Sequence, residues 1–192
     1  MKITSVELQQ IARTPDAFCY DLPQFVFAGK SNVGKSSLLR TLANRKKLVR
    51  VGQTPGVTQS INFFLVNKKC YFVDLPGYGY AKAPKRVQQE WSVLIERYFK
   101  EAVNIRKVLF LVDVRRELSD KDLLFYDWIK NYHFPFMVVL TKADKVPRNQ
   151  AKKKQMTICR QLSLNEDDCI LFSALSRQGR EEILKVFSRA LS

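Results

Sequence analysis

The chain has few of the residues from which metal and redox sites are built. It holds one histidine, His133, and four cysteines, Cys19, Cys70, Cys159 and Cys169, none in C-x-x-C spacing. That set argues against a zinc site. The thiols read as reduced side chains packed as small hydrophobes, and His133, before Phe134-Pro135, reads as a solvated turn residue. No apolar run is long enough to span a membrane. Met1 to Glu7 hold no apolar signal-peptide core, so a cytoplasmic location is expected. Internal repeats and low-complexity segments are absent, and no shift in composition marks a second domain. Acidic residues are scarce: 18 Asp and Glu face 33 Lys and Arg, for a net charge of +15. A balance that basic points to a polyanionic partner, RNA before DNA, with a lysine-rich solvated surface as the alternative. The 192 residues, 46% hydrophobic and 27% charged, suit one α/β domain with a sizeable core.

Against that background one stretch stands out. Gly29-Lys30-Ser31-Asn32-Val33-Gly34-Lys35-Ser36 reads G-x-x-x-x-G-K-S, the phosphate-binding P-loop. Phe25 to Ala28 before it suit a buried strand, and Ser37 to Asn44 after it carry leucines at helical spacing. The loop therefore joins a strand to a helix N-terminus, where unpaired N–H groups and the positive end of the helix dipole face an anion. Gly29 and Gly34 let the backbone curl around phosphate without Cβ clashes. Lys35 is placed to reach the outer phosphates, and the Ser36 hydroxyl to hold Mg2+. The motif implies a nucleoside triphosphate and leaves the base open.

Residues 1–23 read as an N-terminal extension in which Ile3 to Leu8 suit an edge strand. Over residues 24–192 short apolar strands alternate with segments of helical period. The expected fold is a three-layer α/β P-loop domain: a mostly parallel sheet with one antiparallel edge strand and helices on both faces. Arg45, Lys46, Lys47 and Arg50 lead into a polar loop, Gly52 to Thr58. Gln59 to Val66 and Cys70 to Val73 predict an antiparallel hairpin turning at Asn67-Lys68-Lys69. Its second strand ends in Asp74-Leu75-Pro76-Gly77. A carboxylate there lies on the ligand side of an open α/β sheet and suits a Mg2+-bound water, and Gly77 can bring its N–H against a terminal phosphate. A second loop, Tyr78 to Pro84, carries Lys82. The helix after it opens with Lys85 and Arg86 and turns Val87, Trp91, Leu94, Ile95 and Tyr98 inward.

Val108 to Val112 form a strand ending in Asp113, and Leu123, Leu124, Trp128 and Ile129 line the next helix. Phe136 to Leu140 form a strand ending in Thr141-Lys142-Ala143-Asp144. Asp144 can accept two hydrogen bonds from guanine's ring N–H and exocyclic amine, a donor pair that adenine does not offer. The Lys142 stem can lie along the base. Ile170 to Phe172 form a last strand, leading into Ser173-Ala174-Leu175, where a backbone N–H can meet the guanine carbonyl. Gly179 precedes a helix that turns Ile183, Leu184 and Phe187 inward.

Taken in order, G-K-S-N-V-G-K-S-S, T-P-G-V-T-Q, D-L-P-G-Y-G-Y-A, T-K-A-D and S-A-L resemble the EngB family (also called YihA or YsxC), bacterial GTPases of the translation-factor-like group. The resemblance covers nearly the whole chain from Gln24, and Asp113-Val114-Arg115, Leu118 and Asp122 share it. It implies a molecular switch that binds and slowly hydrolyses GTP, acting as a monomer on the large ribosomal subunit and its rRNA during assembly. Growth and division, septation included, then depend on it. By the resemblance GTP or GDP lies on Gly29, Lys30, Ser31, Asn32, Val33, Gly34, Lys35, Ser36 and Ser37. Further contacts come from Gly56, Val57, Thr58, Gln59 and Ser60, then from Asp74, Leu75, Pro76 and Gly77. The base meets Thr141, Lys142, Ala143, Asp144, Ser173, Ala174 and Leu175.

Lys35, Thr58 and Gly77 are the catalytic set by the same resemblance. Ser36, Thr58 and, through water, Asp74 hold Mg2+; Thr54 competes with Thr58 for that role. Tyr78 stands where Ras-like enzymes place a water-orienting Gln, so unaided hydrolysis is expected to be slow. Thr141 stands where the generic pattern has Asn, so base affinity is expected to be modest. Asn32 leaves two readings open: a K+ ligand, as in related GTPases, or a side chain bonding its own backbone. A constitutive RNA-binding module and an ATP-dependent P-loop enzyme stand as alternatives to the switch.

Overall fold

A computed structural model describes residues 1–44, 60–78 and 85–192. Its strands are β1 (Val6–Ala12), β2 (Gln24–Gly29), β3 (Ile61–Val66), β4 (Cys70–Asp74), β5 (Ile105–Asp113), β6 (Phe136–Thr141) and β7 (Cys169–Leu171). The α-helices are α1 (Lys35–Ala43), α2 (Lys85–Glu101), α3 (Asp120–Lys130), α4 (Arg148–Gln161) and α5 (Arg180–Leu191). The strands make one sheet in the order β1-β3-β4-β2-β5-β6-β7. Pairing is parallel from β4 through β2, β5 and β6 to β7, and antiparallel at one side only, β1 on β3 and β3 on β4.

The central strands are apolar on both faces because helices cover both. Phe25 and Phe27 of β2 join α1 and α5, with Phe187 stacked on Phe25 at 4.0 Å. Val26 and Ala28 turn to the opposite face, against Leu94, Ile95, Tyr98 and Phe99 of α2. Farther along that face, Phe110 and Val138 pack against Tyr126 of α3 and Ile158 of α4. The edge strand runs from Val6 rather than Ile3, because its register is set by β3, where Ala12 faces Ile61. Asn67 and Lys68 take left-handed conformations in the hairpin turn (φ 52° and 55°). Asn67 Oδ1 accepts from the Thr4 and Ser5 N–H groups at 2.8 and 3.1 Å, which ties down the chain before β1.

β2 has β4 on one side and β5 on the other, so strand order reverses there, and a crevice opens beyond the carboxyl ends of the strands. Helix α3 packs Trp128 and Ile129 inward as expected and departs from the expected stripe in its first turn. Ser119 caps it in a reciprocal box with Asp122, which turns Asp122, Tyr126 and Ile129 inward and leaves Leu123 and Leu124 exposed. Residues 45–59 and 79–84 lie outside the described residues, as do the side chains of Lys85, Arg86, Val87 and Trp91. Among the described residues no helix is long and apolar enough to cross a membrane.

Candidate active site

β2 delivers Gly29 to the carboxyl edge of the sheet, where a Cβ would meet the Leu111 carbonyl at 2.8 Å; only glycine passes β5 so closely. The loop turns left-handed at Asn32 (φ 60°) and again at Gly34 (φ 120°), while Val33 anchors it in the core. α1 then begins at Lys35 with no side-chain cap and no acidic residue in its first turn. The N–H groups of Lys35, Ser36 and Ser37 therefore lack intrahelical acceptors at an unneutralised helix end. The side chains of Asn32 and Ser36 are exposed and bond nothing among the described residues.

Lys35 and Asp74 lie near each other, both half-buried, with the Asp74 Oδ1 atom shut off from water. Burial pulls the Lys35 ammonium below its ordinary pKa, with Asp74 opposing, and its one acceptor is the Gly29 carbonyl at 3.4 Å. Burial pushes the Asp74 carboxyl up to about 6, with Lys35 opposing, and Asp74 Oδ1 has no hydrogen-bond partner. A buried carboxylate oxygen without a donor and a half-buried ammonium without a good acceptor are groups that fit a ligand bringing oxygens and water. Phosphate oxygens would satisfy the first turn of α1 and Lys35; the waters of a hydrated Mg2+ would satisfy Asp74. Among the described residues no group of three or more His, Cys, Asp or Glu forms a metal cage.

Beyond Asp74, Leu75 is buried and donates to the Phe27 carbonyl at 3.0 Å. Pro76 leads to Gly77, whose imaginary Cβ would lie 2.8 Å from both Cα and N of Ser31. Tyr78 follows, and its carbonyl accepts from the Ser31 N–H at 3.1 Å. Its ring stacks on Phe125 at 4.5 Å and its hydroxyl donates to Asp122 Oδ1 at 2.7 Å. Lys30 also turns to Asp122, at 2.7 Å, and to Ser119 Oγ at 2.6 Å, so its ammonium points away from the phosphate cradle. Burial alone would raise the Asp122 carboxyl; Lys30, the Ser119 N–H and Tyr78 outweigh it and hold it below the ordinary range.

At the other end of the crevice Thr141 is buried. Its hydroxyl is shared between the Val33 carbonyl at 2.6 Å and the Val112 carbonyl at 3.1 Å, so it fastens β6 to the P-loop. Lys142 (φ 61°) donates to the Asn32 carbonyl at 2.8 Å and to Asp113 Oδ2 at 2.9 Å. Arg115 chelates Asp113 at 2.9 and 2.7 Å. These donors overcome burial and hold the Asp113 carboxyl well below the carboxylate range. Ala143 is buried and donates to the Phe172 carbonyl at 3.0 Å.

Asp144 is fixed by Ser173, whose hydroxyl donates to Oδ1 at 2.7 Å. That bond, aided by Lys145, holds the carboxyl below its ordinary value. Ser173 Oγ accepts in turn from the Leu175 and Ser176 N–H groups, both at 3.2 Å. The Ala174 N–H, in the exposed turn between them, has no partner among the described residues.

Gly29–Ser37, Asp74–Gly77, Thr141–Asp144 and Ser173–Leu175 thus share one edge of the sheet. Ser60 joins them beside Asp74, where its hydroxyl donates to Asn62 Oδ1 at 3.1 Å and Asn62 faces Asp74. Gly56, Val57, Thr58 and Gln59 lie outside the described residues, with Thr54 and the basic residues Arg45 to Arg50 and Lys82. The sequence reading gave no role to Ser119 or to Arg180. Ser119-x-x-Asp122 is a helix-start signal and could have been read as one. Arg180 donates to the Thr41 and Leu42 carbonyls at 2.9 and 3.1 Å, capping α1 from α5, and no local pattern announces it.

The sequence model of the family described as "50S ribosome-binding GTPase" matches residues 24–142. A probable GTP-binding protein EngB of Thermoanaerobacter pseudethanolicus is 44% identical over 190 residues, 98% of this chain and 99% of its own length. The protein of the same name from Geobacter metallireducens is 46% identical over 184 residues, covering 95% of this chain and 90% of its own. The crystal structure of a probable GTP-binding protein engB superposes with a TM-score of 0.73 at 26% identity, over 88% of this chain and 98% of that one. The fold also matches Era, solved with MgGDPNP and nucleotides of 16S ribosomal RNA. There the TM-score is 0.66 and the identity 22%, over 88% of this chain and 56% of that one.

Proposed function

Because this chain belongs to the EngB family of GTP-binding proteins, within the 50S ribosome-binding GTPases, we propose that its GTPase cycle operates a switch in the assembly of the large ribosomal subunit. The observation that carries the nucleotide site is the half-buried pair at the sheet edge: Lys35 without a good acceptor and Asp74 with an orphaned buried oxygen. In this reading the N–H groups of Gly29–Ser37 and the Lys35 ammonium bind the phosphates, and Gly77 meets the terminal one. Ser36, Thr58 and, through water, Asp74 hold Mg2+, which supplies charge neutralisation at the phosphate oxygens. Asp144 takes guanine's two donors, and the unpartnered Ala174 N–H suits the guanine carbonyl. Gly56, Val57, Thr58, Gln59 and Ser60 contact the nucleotide, and the terminal phosphate holds the loop around Thr58 until hydrolysis releases it.

Catalysis is then mostly positioning and charge neutralisation. Tyr78 takes no part in orienting water, since a phenol cannot present the carbonyl-plus-amide pair with which a Gln holds it. Slow turnover follows. Among the described residues the Asn32 side chain bonds no neighbour, so self-capping lacks its bond and K+ ligation is the reading kept. Turnover in KCl should exceed that in NaCl at equal ionic strength, and equal rates would remove the ion.

The partner is large-subunit rRNA, met as a monomer in the cytoplasm and supporting growth and division. The net charge of +15 and the basic residues flanking both loops support this reading. Co-sedimentation with purified large subunits at graded salt, with GTP, GDP or no nucleotide, tests it. Binding that follows the nucleotide is expected. Equal binding in all three states would mean a constitutive RNA-binding module instead.

A further inference from the structure

We propose that Tyr78, Asp122 and Lys30 form a latch that holds the D-x-x-G loop down on the P-loop and that a terminal phosphate must open. The proposal rests on the reading above that phosphate binds at Lys35. Four contacts define the latched state. The Tyr78 phenol donates to Asp122 at 2.7 Å, and its ring stacks on Phe125. The Tyr78 carbonyl accepts from the Ser31 N–H. Gly77 packs so closely on Ser31 that a Cβ would lie 2.8 Å from that backbone and 3.1 Å from Lys35 Nζ. Asp122 meanwhile holds Lys30 at 2.7 Å and is itself fixed at the start of α3 by its box with Ser119. One carboxylate therefore grips both sides of the contact, the P-loop through Lys30 and the D-x-x-G loop through Tyr78.

A terminal phosphate drawn to the Lys35 ammonium must enter where Gly77 now closes on it. Gly77 then lifts from Ser31, and Tyr78 leaves its partners. A diphosphate needs none of that space. The latch is thus a conformational penalty on the triphosphate alone, because only the open state accepts it. Asp122 is 5% exposed, so water competes little for the bond that must break.

Tyr78→Phe keeps the ring on Phe125 and deletes only the hydroxyl. With the full chain, Kd is measured by competition with a fluorescent GDP, for GDP and for a non-hydrolysable GTP analogue. The variant is expected to bind the analogue about tenfold tighter than wild type, with GDP within about twofold, as suits one hydrogen bond to a buried carboxylate. Asp122→Asn should move the ratio the same way; its melting temperature is recorded, and if it does not fold Tyr78→Phe decides. An unchanged ratio, or one common factor on both nucleotides, overturns the latch. A wild-type chain that binds neither nucleotide would instead overturn the phosphate-site reading beneath it.

Discussion

Replacing Asp74 by asparagine probes the phosphate site with no ligand in it. Asp74 is half-buried beside Lys35, its buried Oδ1 has no donor, and desolvation pushes its carboxyl up to about 6 from an ordinary 3.8. At about 1.4 kcal/mol per pKa unit, ionising it in the folded chain costs about 3 kcal/mol more than in the unfolded one. The sign follows from where each state holds its proton. The folded carboxyl stays protonated to about pH 6, while the unfolded one ionises near 3.8. Stability from this group is therefore highest below about pH 4, falls as pH rises toward 6, and stays low above. Asparagine carries no charge at any of these pH values, but it also removes the counter-charge of Lys35. The net gain at pH 7.5 should be about 1–2 kcal/mol, or roughly 2–8 °C in Tm for a chain of this length. Thermal melting without nucleotide or Mg2+, at pH 7.5 and pH 4.5, reads it directly. Asp74→Asn is expected to melt higher than wild type at pH 7.5, with the gap closing or reversing at pH 4.5. Added Mg2+ and GDP should then stabilise wild type more than the variant. A variant that melts lower at pH 7.5, or by an equal margin at both pH values, would refute the picture of a strained buried charge awaiting its ligand.

Thr141→Val keeps shape but takes the donor from the Val33 and Val112 carbonyls; it should cost about 1–3 kcal/mol in denaturant unfolding and weaken GDP binding with it. Gly179→Ala puts a Cβ 2.3 Å from the Leu171 carbonyl at φ +78°, so it should cost about 2–4 kcal/mol and loosen GDP through the Ser173 turn; unchanged Tm and Kd would contradict that placement. Arg180→Ala uncaps the end of α1 and should lower stability by about 1–2 kcal/mol in the same unfolding assay.

The parts legible in the sequence were those whose signal is local. The P-loop, the D-x-x-G turn and T-K-A-D each lie at a strand end that a short apolar run announces, and the alternation of periods gives the layers. Two features were not legible because they depend on contacts between distant segments, and a third turned on a local signal that hydrophobic periodicity does not carry. The Thr141 hydroxyl looked like a weak substitute for a base-binding amide, yet it bonds the P-loop carbonyl of Val33, 108 positions away. Lys30 lies within the P-loop, yet its ammonium bonds Asp122, 92 positions away. Leu123 and Leu124 fit a helical stripe, but the Ser119 cap sets the phase of α3 and exposes both. Hydrophobic periodicity held at Trp128 and Ile129, which pack on the core, and failed only in the first turn.

The central claim is that one carboxylate, Asp144 held by Ser173, selects guanine at the crevice whose other end takes phosphate. Competition of GTP, ATP and XTP against labelled GDP, in wild type and Asp144→Asn, tests it most directly. The amide replaces one acceptor by a donor and so matches xanthine, with its extra carbonyl, better than guanine. GTP alone should displace the label from wild type, with XTP gaining in the variant. If ATP competes with wild type as well as GTP does, or the variant keeps its guanine preference, the claim is wrong.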